Sequence, residues 1–257
     1  MSQNLLICQL SDMHFIDSDE KLNGQINTKQ QLHKAINFCK SLNPQPDIFI
    51  MSGDLIHDNP NFYDKFIELS NELQKPYYLM IGNHDHRKRL RKIISNKNLI
   101  DKYGYINFSI DEFPIRIIAI DTVVDKTNGG EISLTTFNWL KNKLDGDLNK
   151  PTIIFMHHPP INIGSIIFDN IKCINGSKFL QLTSNYKNII KIIFGHVHCK
   201  FKRNFLNQKL MSCPSSAFQI SIKAKTTENL KYDNQGYVQL YNWGINKQIN
   251  VEAVKIL

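Results

Sequence analysis

The chain has 257 residues, of which 42% are hydrophobic and 21% charged. That balance gives a folded protein with a sizeable core and excludes wholesale disorder, a collagen-like fibre and a disulfide-dense mini-protein. Lys and Arg number 31 against 23 Asp and Glu, a formal net charge of +8, which suits nucleic acid, an anionic membrane surface or a phosphate-bearing small molecule without choosing among them.

The start, Met1 to Ile7, carries no basic n-region or small-residue cleavage site, and Leu5 to Leu10 reads as a buried first strand rather than a signal peptide. Asn27 to Leu42 is predicted helical, because Ile26, Leu32, Ala35, Ile36 and Cys39 recur at near-helical spacing; Pro44 and Pro46 end it. Asp47 to Met51 is a second strand, Pro60 to Leu73 a second helix with Phe62, Phe66, Leu69 and Leu73 on one stripe, and Tyr77 to Ile81 a third strand. This alternation implies βαβ units and a parallel sheet. Tyr105 to Ile110 and Ile115 to Ile120 read as a hairpin, Leu134 to Leu144 as a helix, and Thr152 to Met156 and Ile189 to Phe194 as buried strands around a helix from about Asn175 to Leu182. Phe201 to Leu206 and Lys209 to Cys213 form a second predicted hairpin about Asn207-Gln208. Tyr237 to Tyr241 and Gln248 to Val254 are late strands, and the polar stretch Lys223 to Gln235 is a candidate mobile loop. No apolar run approaches the ~20 residues of a membrane span. The five cysteines are odd in number, widely spaced and free of Cys-x-x-Cys pairs, which argues against a disulfide framework or a cysteine zinc site and fits the cytoplasm.

Five polar clusters follow the ends of predicted strands: Asp12-Met13-His14, Gly53-Asp54, Gly82-Asn83-His84-Asp85, His157-His158, and Gly195-His196-Val197-His198. Ligands of an open α/β sheet bind beyond the carboxyl ends of its strands, so these clusters should converge. Each alone reads equally well as a turn or a cap; the five together, in this order, do not. Carboxylates, imidazoles and an amide without thiolate suit manganese, iron, zinc or cobalt. The donors are too many for one tetrahedral ion and about right for two that share a bridging carboxylate, an arrangement that serves in-line phosphoryl displacement.

The ordered set Asp-x-His, Gly-Asp, Gly-Asn-His-Asp, His, Gly-His-x-His resembles the calcineurin-like metallophosphoesterase superfamily from Asp12 to His198. The resemblance implies an α/β four-layer αββα sandwich of two mixed sheets flanked by helices. It implies one domain over residues 1–257, with a catalytic core of about 4–215 and C-terminal strands completing the second sheet. It implies two divalent ions, manganese or iron first, zinc or cobalt next. Asp12, His14 and His198 would hold one ion, Asn83, His157 and His196 the other, and Asp54 would bridge. His84 would contact the phosphoryl group with Asn83 and stabilise or protonate the leaving oxygen, while Asp85 holds the imidazole. A hydroxide held by the ions would be the nucleophile, leaving the centre at a charge of about +1, suited to a phosphodiester monoanion. His33 has no role, His57 lies near the site without being a ligand, and His158 is structural or supports its neighbour.

Finer features resemble class III cyclic-nucleotide phosphodiesterases and the related bacterial glycerophosphodiesterases. They are Cys8 to Phe15, Met156 to Gly164 with Asp169 and Asn175-Gly176, Gly129-Gly130-Glu131 with Trp139-Leu140, and Pro214 to Gln219. The last is nearer the cyclic-nucleotide enzymes and points to 3′,5′-cyclic AMP; Met13 replaces the usual small residue after the first aspartate. The alternatives are a glycerophosphodiesterase or broad phosphodiesterase, and an inactive binding scaffold, which the intact ligand set argues against. The length leaves little room for nucleic-acid-holding appendages. Relatives often form dimers, which makes a homodimer the candidate assembly. The basic run His86 to Lys92 is either a solvated helix face or a rim at which Arg87, with Lys88, draws in anionic substrate.

Overall fold

The computed structural model describes residues 4–94, 96–224 and 226–257. Met1 to Gln3, part of the predicted strand start, and Lys225, within the predicted mobile loop, lie outside them.

In chain order the strands are β1 (Leu5–Leu10), β2 (Ile48–Met51), β3 (Tyr77–Leu79), β4 (Phe108–Ile110), β5 (Arg116–Ile120), β6 (Thr152–Met156), β7 (Ile189–Phe194), β8 (Lys202–Phe205), β9 (Gln208–Ser212), β10 (Gln219–Ile220), β11 (Tyr232–Asp233), β12 (Tyr237–Trp243) and β13 (Ile249–Lys255). The helices are α1 (Thr28–Ser41), α2 (Tyr63–Asn71), α3 (Arg87–Ile93), α4 (Leu134–Asp145), α5 (Ile166–Asn170) and α6 (Gly176–Thr183).

Two large mixed sheets result. One has the order β13-β12-β1-β2-β3 and the other β4-β5-β6-β7-β9-β8. The side-chain period of two sorts the layers. Ile117 and Ala119 of β5 join a core with β1, β2, α1 and α2, while Ile118 and Ile120 join a second core with α4 and α6. Tyr241 of the first sheet meets Phe155 of the second at 5.7 Å between ring centroids, so the sheets pack face to face with helices outside.

Local chemistry sets the element ends. Asn27 caps α1 by accepting from the Gln30 amide at 2.8 Å, and Ser133 caps α4 by accepting from the Thr136 amide at 3.0 Å. The second predicted helix opens as a 3-10 turn over Pro60–Phe62. β4 starts later than expected because the Asp101 carboxylate takes the Tyr105 amide at 2.9 Å, and Asn107 bonds Asp101 and the Asp121 amide instead of a neighbouring strand. The late hairpin turns one residue early, at Leu206-Asn207, with Phe205 paired to Gln208 and Leu206 left-handed at φ 52°.

Two expectations are corrected. The C-terminal strands complete the first sheet, because β12 pairs antiparallel with the open edge of β1 from Leu5↔Trp243 to Gln9↔Gln239. The stretch 223–235 is not wholly loop: Thr227–Asn229 is a 3-10 turn, and β11 pairs with β10, setting Tyr232 against Phe218 at 5.9 Å. No helix among the described residues is long and apolar enough to cross a membrane.

Candidate metal centre

Each predicted cluster begins where a parallel strand stops: Asp12 after β1, Asp54 after β2, Asn83 after β3, His157 after β6 and His196 after β7. The two sheets therefore deliver their loops to one place. The loops after β1 and β2 are zipped by backbone bonds from Asp12 to Gly53 (3.1 Å), His14 to Asp54 (2.9 Å) and Phe15 to Leu55 (3.1 Å). The second sheet is tied in by the His196 amide, which donates to Asp12 Oδ1 at 2.9 Å. Asp12, His14, Asp54, His196 and His198 all have positive φ, between 44° and 70°. Non-glycine residues in the left-handed region cost of order 1 kcal/mol each or more, and such outliers gather at functional sites. Gly53, at φ 96°, is required twice over: a Cβ there would lie 2.7 Å from His157 Nδ1. A Cβ at Gly82 would collide with the amide and carboxylate of Asp54.

The ligating atoms converge as trios. Asp12, His14 and His198 offer donor atoms within 4.8 Å of one another, and so do Asp12, Asp54 and His157. Asp54 Oδ2 lies 3.4 Å from His14 Nε2 and 3.3 Å from His157 Nε2, while Oδ1 accepts the His84 amide at 2.9 Å. Nδ1 of His157 donates to the Ser52 carbonyl at 3.0 Å, and Nδ1 of His198 to the Phe218 carbonyl at 3.2 Å. Both rings are thereby oriented with Nε2 turned into the cluster, that of His198 at 3.1 Å from His14 Nε2 and that of His157 at 3.3 Å from Asp54 Oδ2.

The fit to a second ion rests on orphaned atoms. Asn83 Oδ1, His157 Nε2 and His196 Nε2 are buried without a hydrogen-bond partner among the described residues, His157 Nε2 having only the 3.3 Å approach of Asp54 Oδ2. Buried polar groups are rarely left so, and these three are ligands expected for one ion. The donor set fits two divalent ions.

Electrostatics agree. Burial would raise the Asp54 pKa, but His157, His84 and His14 hold it well below the usual carboxylate range. Burial raises that of Asp12 against the opposing pull of His198 and His157. Desolvation would lower His157, yet the Asp54 carboxylate holds it up at about 9, a place for positive charge that a cation at Nε2 would fill. Burial pushes His14 and His196 well below the ordinary histidine value, favouring the neutral ligand form.

Asp85 falls differently from expectation. His84 Nδ1 pairs with Asp58 Oδ1 at 2.9 Å. Asp85 does not hold that imidazole; it accepts from the Gly82 amide at 2.9 Å, the Tyr63 hydroxyl at 2.9 Å and the Leu55 amide at 3.2 Å. Asp85 thus clamps the loop that carries Asn83 and His84, and Asp58 was missed because nothing local distinguishes it from an ordinary loop aspartate. His57 stacks on His84 at 4.7 Å and approaches His14 Nδ1 at 3.2 Å. His158 bonds the Thr122 hydroxyl at 2.8 Å, and burial pushes it down to about 3. His33 lies on α1, away from these trios.

Arg87 borders the site, but its charge is spent. Its guanidinium holds buried Asp121 through two nitrogens, at 2.9 and 3.1 Å, and also pairs with Asp125 and the Val123 carbonyl. Arg87→Ala is expected to destabilise the fold rather than to weaken substrate steering. Asp121 keeps the Ile106 and Val123 amides as donors, so the loss should be about 2–3 kcal/mol. Urea unfolding measures it; an unchanged midpoint with a raised KM would restore the steering role.

A cavity of about 240 Å³ opens over His14, Asp54, Asn83, His84, His196 and His198. Its outer wall is largely apolar and aromatic: Phe168, Ile171, Phe218, Ile220 and Tyr232. Of this wall only Phe218 falls in a segment the sequence singled out as nucleotide-enzyme-like.

The calcineurin-like phosphoesterase family profile matches residues 5–200. A protein of Arcobacter nitrofigilis named a probable glycerophosphodiester phosphodiesterase is 25% identical over 243 residues, 93% of this chain and 89% of its own length. A probable cyclic nucleotide phosphodiesterase of Synechococcus sp. is 30% identical over 220 residues, 85% of this chain and 83% of its own. The crystal structure of a dimetal phosphatase from Danio rerio shares the fold with a TM-score of 0.72 at 11% identity, over 98% of this chain and 99% of that one.

Proposed function

Since this chain belongs to the calcineurin-like phosphoesterase family and is a phosphodiester hydrolase of that kind, we propose that it hydrolyses 3′,5′-cyclic AMP to 5′-AMP in the cytoplasm. We propose one catalytic domain, with manganese or iron as its two metals. The observation that carries a dinuclear centre is the trio of buried, unpartnered atoms, Asn83 Oδ1, His157 Nε2 and His196 Nε2, beside the Asp12, His14 and His198 cluster.

When bound, two divalent ions draw charge from the phosphoryl oxygens and lower the pKa of water. The protein's own part is positioning. Asp54 and Asp12 fix the spacing of the two donor groups, and the Gly53 and Gly82 backbones let them approach. His84, oriented through Nδ1 by Asp58, gives a proton to the 3′ oxygen as its bond to phosphorus breaks, while Asn83 and His84 contact the phosphoryl group. The Phe218, Tyr232 and Phe168 wall supports a substrate with a flat apolar ring, since rings of this kind stack. A glycerophosphodiester reading is supported by the features shared with that group, Cys8 to Phe15 and Met156 to Gly164, and by the Arcobacter relative's name, yet glycerol would leave that wall unused.

The test is a substrate panel with manganese-loaded protein: 3′,5′-cyclic AMP, 2′,3′-cyclic AMP, cyclic GMP, glycerophosphodiesters and a phosphomonoester. Cyclic AMP should give 5′-AMP with the highest kcat/KM of these. A glycerophosphodiester ahead of it would overturn the substrate, and no hydrolysis of bis(p-nitrophenyl) phosphate with any divalent metal would overturn the enzyme reading.

A further inference from the structure

A second cavity starts at the same two residues, Asn83 and His84, and runs along α3 for a volume of about 940 Å³. That is inside the ~300–1,000 Å³ range of small-ligand sites. A cyclic mononucleotide has one phosphate and one base, which the phosphoryl site and the aromatic wall accommodate, so it makes no use of this groove.

The groove's charges sort into matched and unmatched. Arg87 faces two carboxylates, Asp121 and Asp125, one more than its charge balances; Arg89 is matched by Asp64 at 2.6 Å, and Asp58 pairs with His84. Lys88, Lys92 and Lys126 line the same groove, are exposed, and make no ion pair among the described residues. Lys88 and Lys92 stand four apart on α3 and therefore on one face. The helix that carries them is held by buried Leu90 and by the Arg87–Asp121 pair. Two ammonium groups on a fixed helix, with no ion pair among the described residues, in a groove that opens at His84, are complementary to a second phosphate on the leaving side.

We propose that this groove binds the 5′-phosphate of the leaving nucleoside in linear dinucleotides, and that the enzyme hydrolyses 5′-phosphorylated dinucleotides such as pApA. The proposal rests on the phosphodiesterase reading of His84. The step keeps the direction of the cyclic AMP reaction: a water oxygen bonds to the bridging phosphorus, the P–O3′ bond breaks, and His84 gives O3′ its proton. The water supplies the remaining proton, and the products are two molecules of 5′-AMP.

Steady-state kinetics of the manganese-loaded enzyme with pApA, ApA, cyclic AMP and bis(p-nitrophenyl) phosphate test it. The wild type should prefer pApA to ApA by about tenfold or more in kcat/KM. Lys88→Ala/Lys92→Ala, two exposed changes, should raise KM for pApA about tenfold and flatten its salt dependence, with kcat unchanged and a much smaller rise in KM for the three singly charged substrates. Equal turnover of pApA and ApA, or a double variant with unaltered KM for pApA, overturns the groove assignment while bis(p-nitrophenyl) phosphate hydrolysis leaves the phosphodiesterase standing. Absence of all four activities overturns both.

Discussion

Asp54→Asn is expected to lower kcat/KM for bis(p-nitrophenyl) phosphate by about 10³-fold or more and to leave fewer than two ions per chain after dialysis. Asp54 is buried, and its two oxygens do different work. Oδ1 accepts the His84 amide at 2.9 Å, a bond that an asparagine oxygen preserves. Oδ2 stands 3.4 Å from His14 Nε2 and 3.3 Å from His157 Nε2, between the imidazoles assigned to the two ions. An amide NH₂ in its place would substitute donors for a ligand and remove the negative charge that two bound ions would share. Because size and the loop contact are kept, the loss should come from the metals rather than from folding. Elemental analysis beside kinetics checks it: two retained ions with near-wild-type kcat/KM would remove Asp54 from the bridge.

Much of this site is legible in the chain because its signals are local. Short apolar runs buried on both faces announce the parallel strands, and a chemistry-bearing residue just past each run needs only the strand-end rule to be placed. Asp12, Asp54, Asn83, His157 and His196 all obey it. What stays hidden is pairing across sequence distance. The alternation in Tyr237–Trp243 signals a strand without naming the edge it will join, and β1 was as open to it as any strand of the other sheet. Arg87 reads as part of a solvated helix face or as a free rim charge until Asp121, 34 residues on, is seen beneath it. Asp85, adjacent to His84, looks like its partner; the backbone turns the carboxylate toward Gly82 and Leu55 instead, and Asp58 arrives from the loop after β2. The aromatic wall was invisible for the same reason, since Tyr232 reaches Phe218 only through the β10–β11 ribbon.

His84→Ala should lower kcat for cyclic AMP by about 10²–10⁴-fold, the range for losing a general acid, with both ions still bound. The metals survive because the backbone amide of residue 84, not its ring, holds Asp54 Oδ1. The ring itself is held by two residues that are not among the expected ligands, Asp58 at Nδ1 and His57 by stacking at 4.7 Å, so its removal deletes a proton donor without deleting an expected ligand. Leaving-group dependence separates this role from simple charge stabilisation. Departure of a ribose oxygen needs a proton, whereas p-nitrophenolate departs as a stable anion. The loss should therefore be about tenfold or more larger for cyclic AMP than for bis(p-nitrophenyl) phosphate. Equal losses on the two substrates would reassign His84 to stabilising charge on the phosphoryl oxygens, and the proton would have to come from elsewhere in the loop cluster.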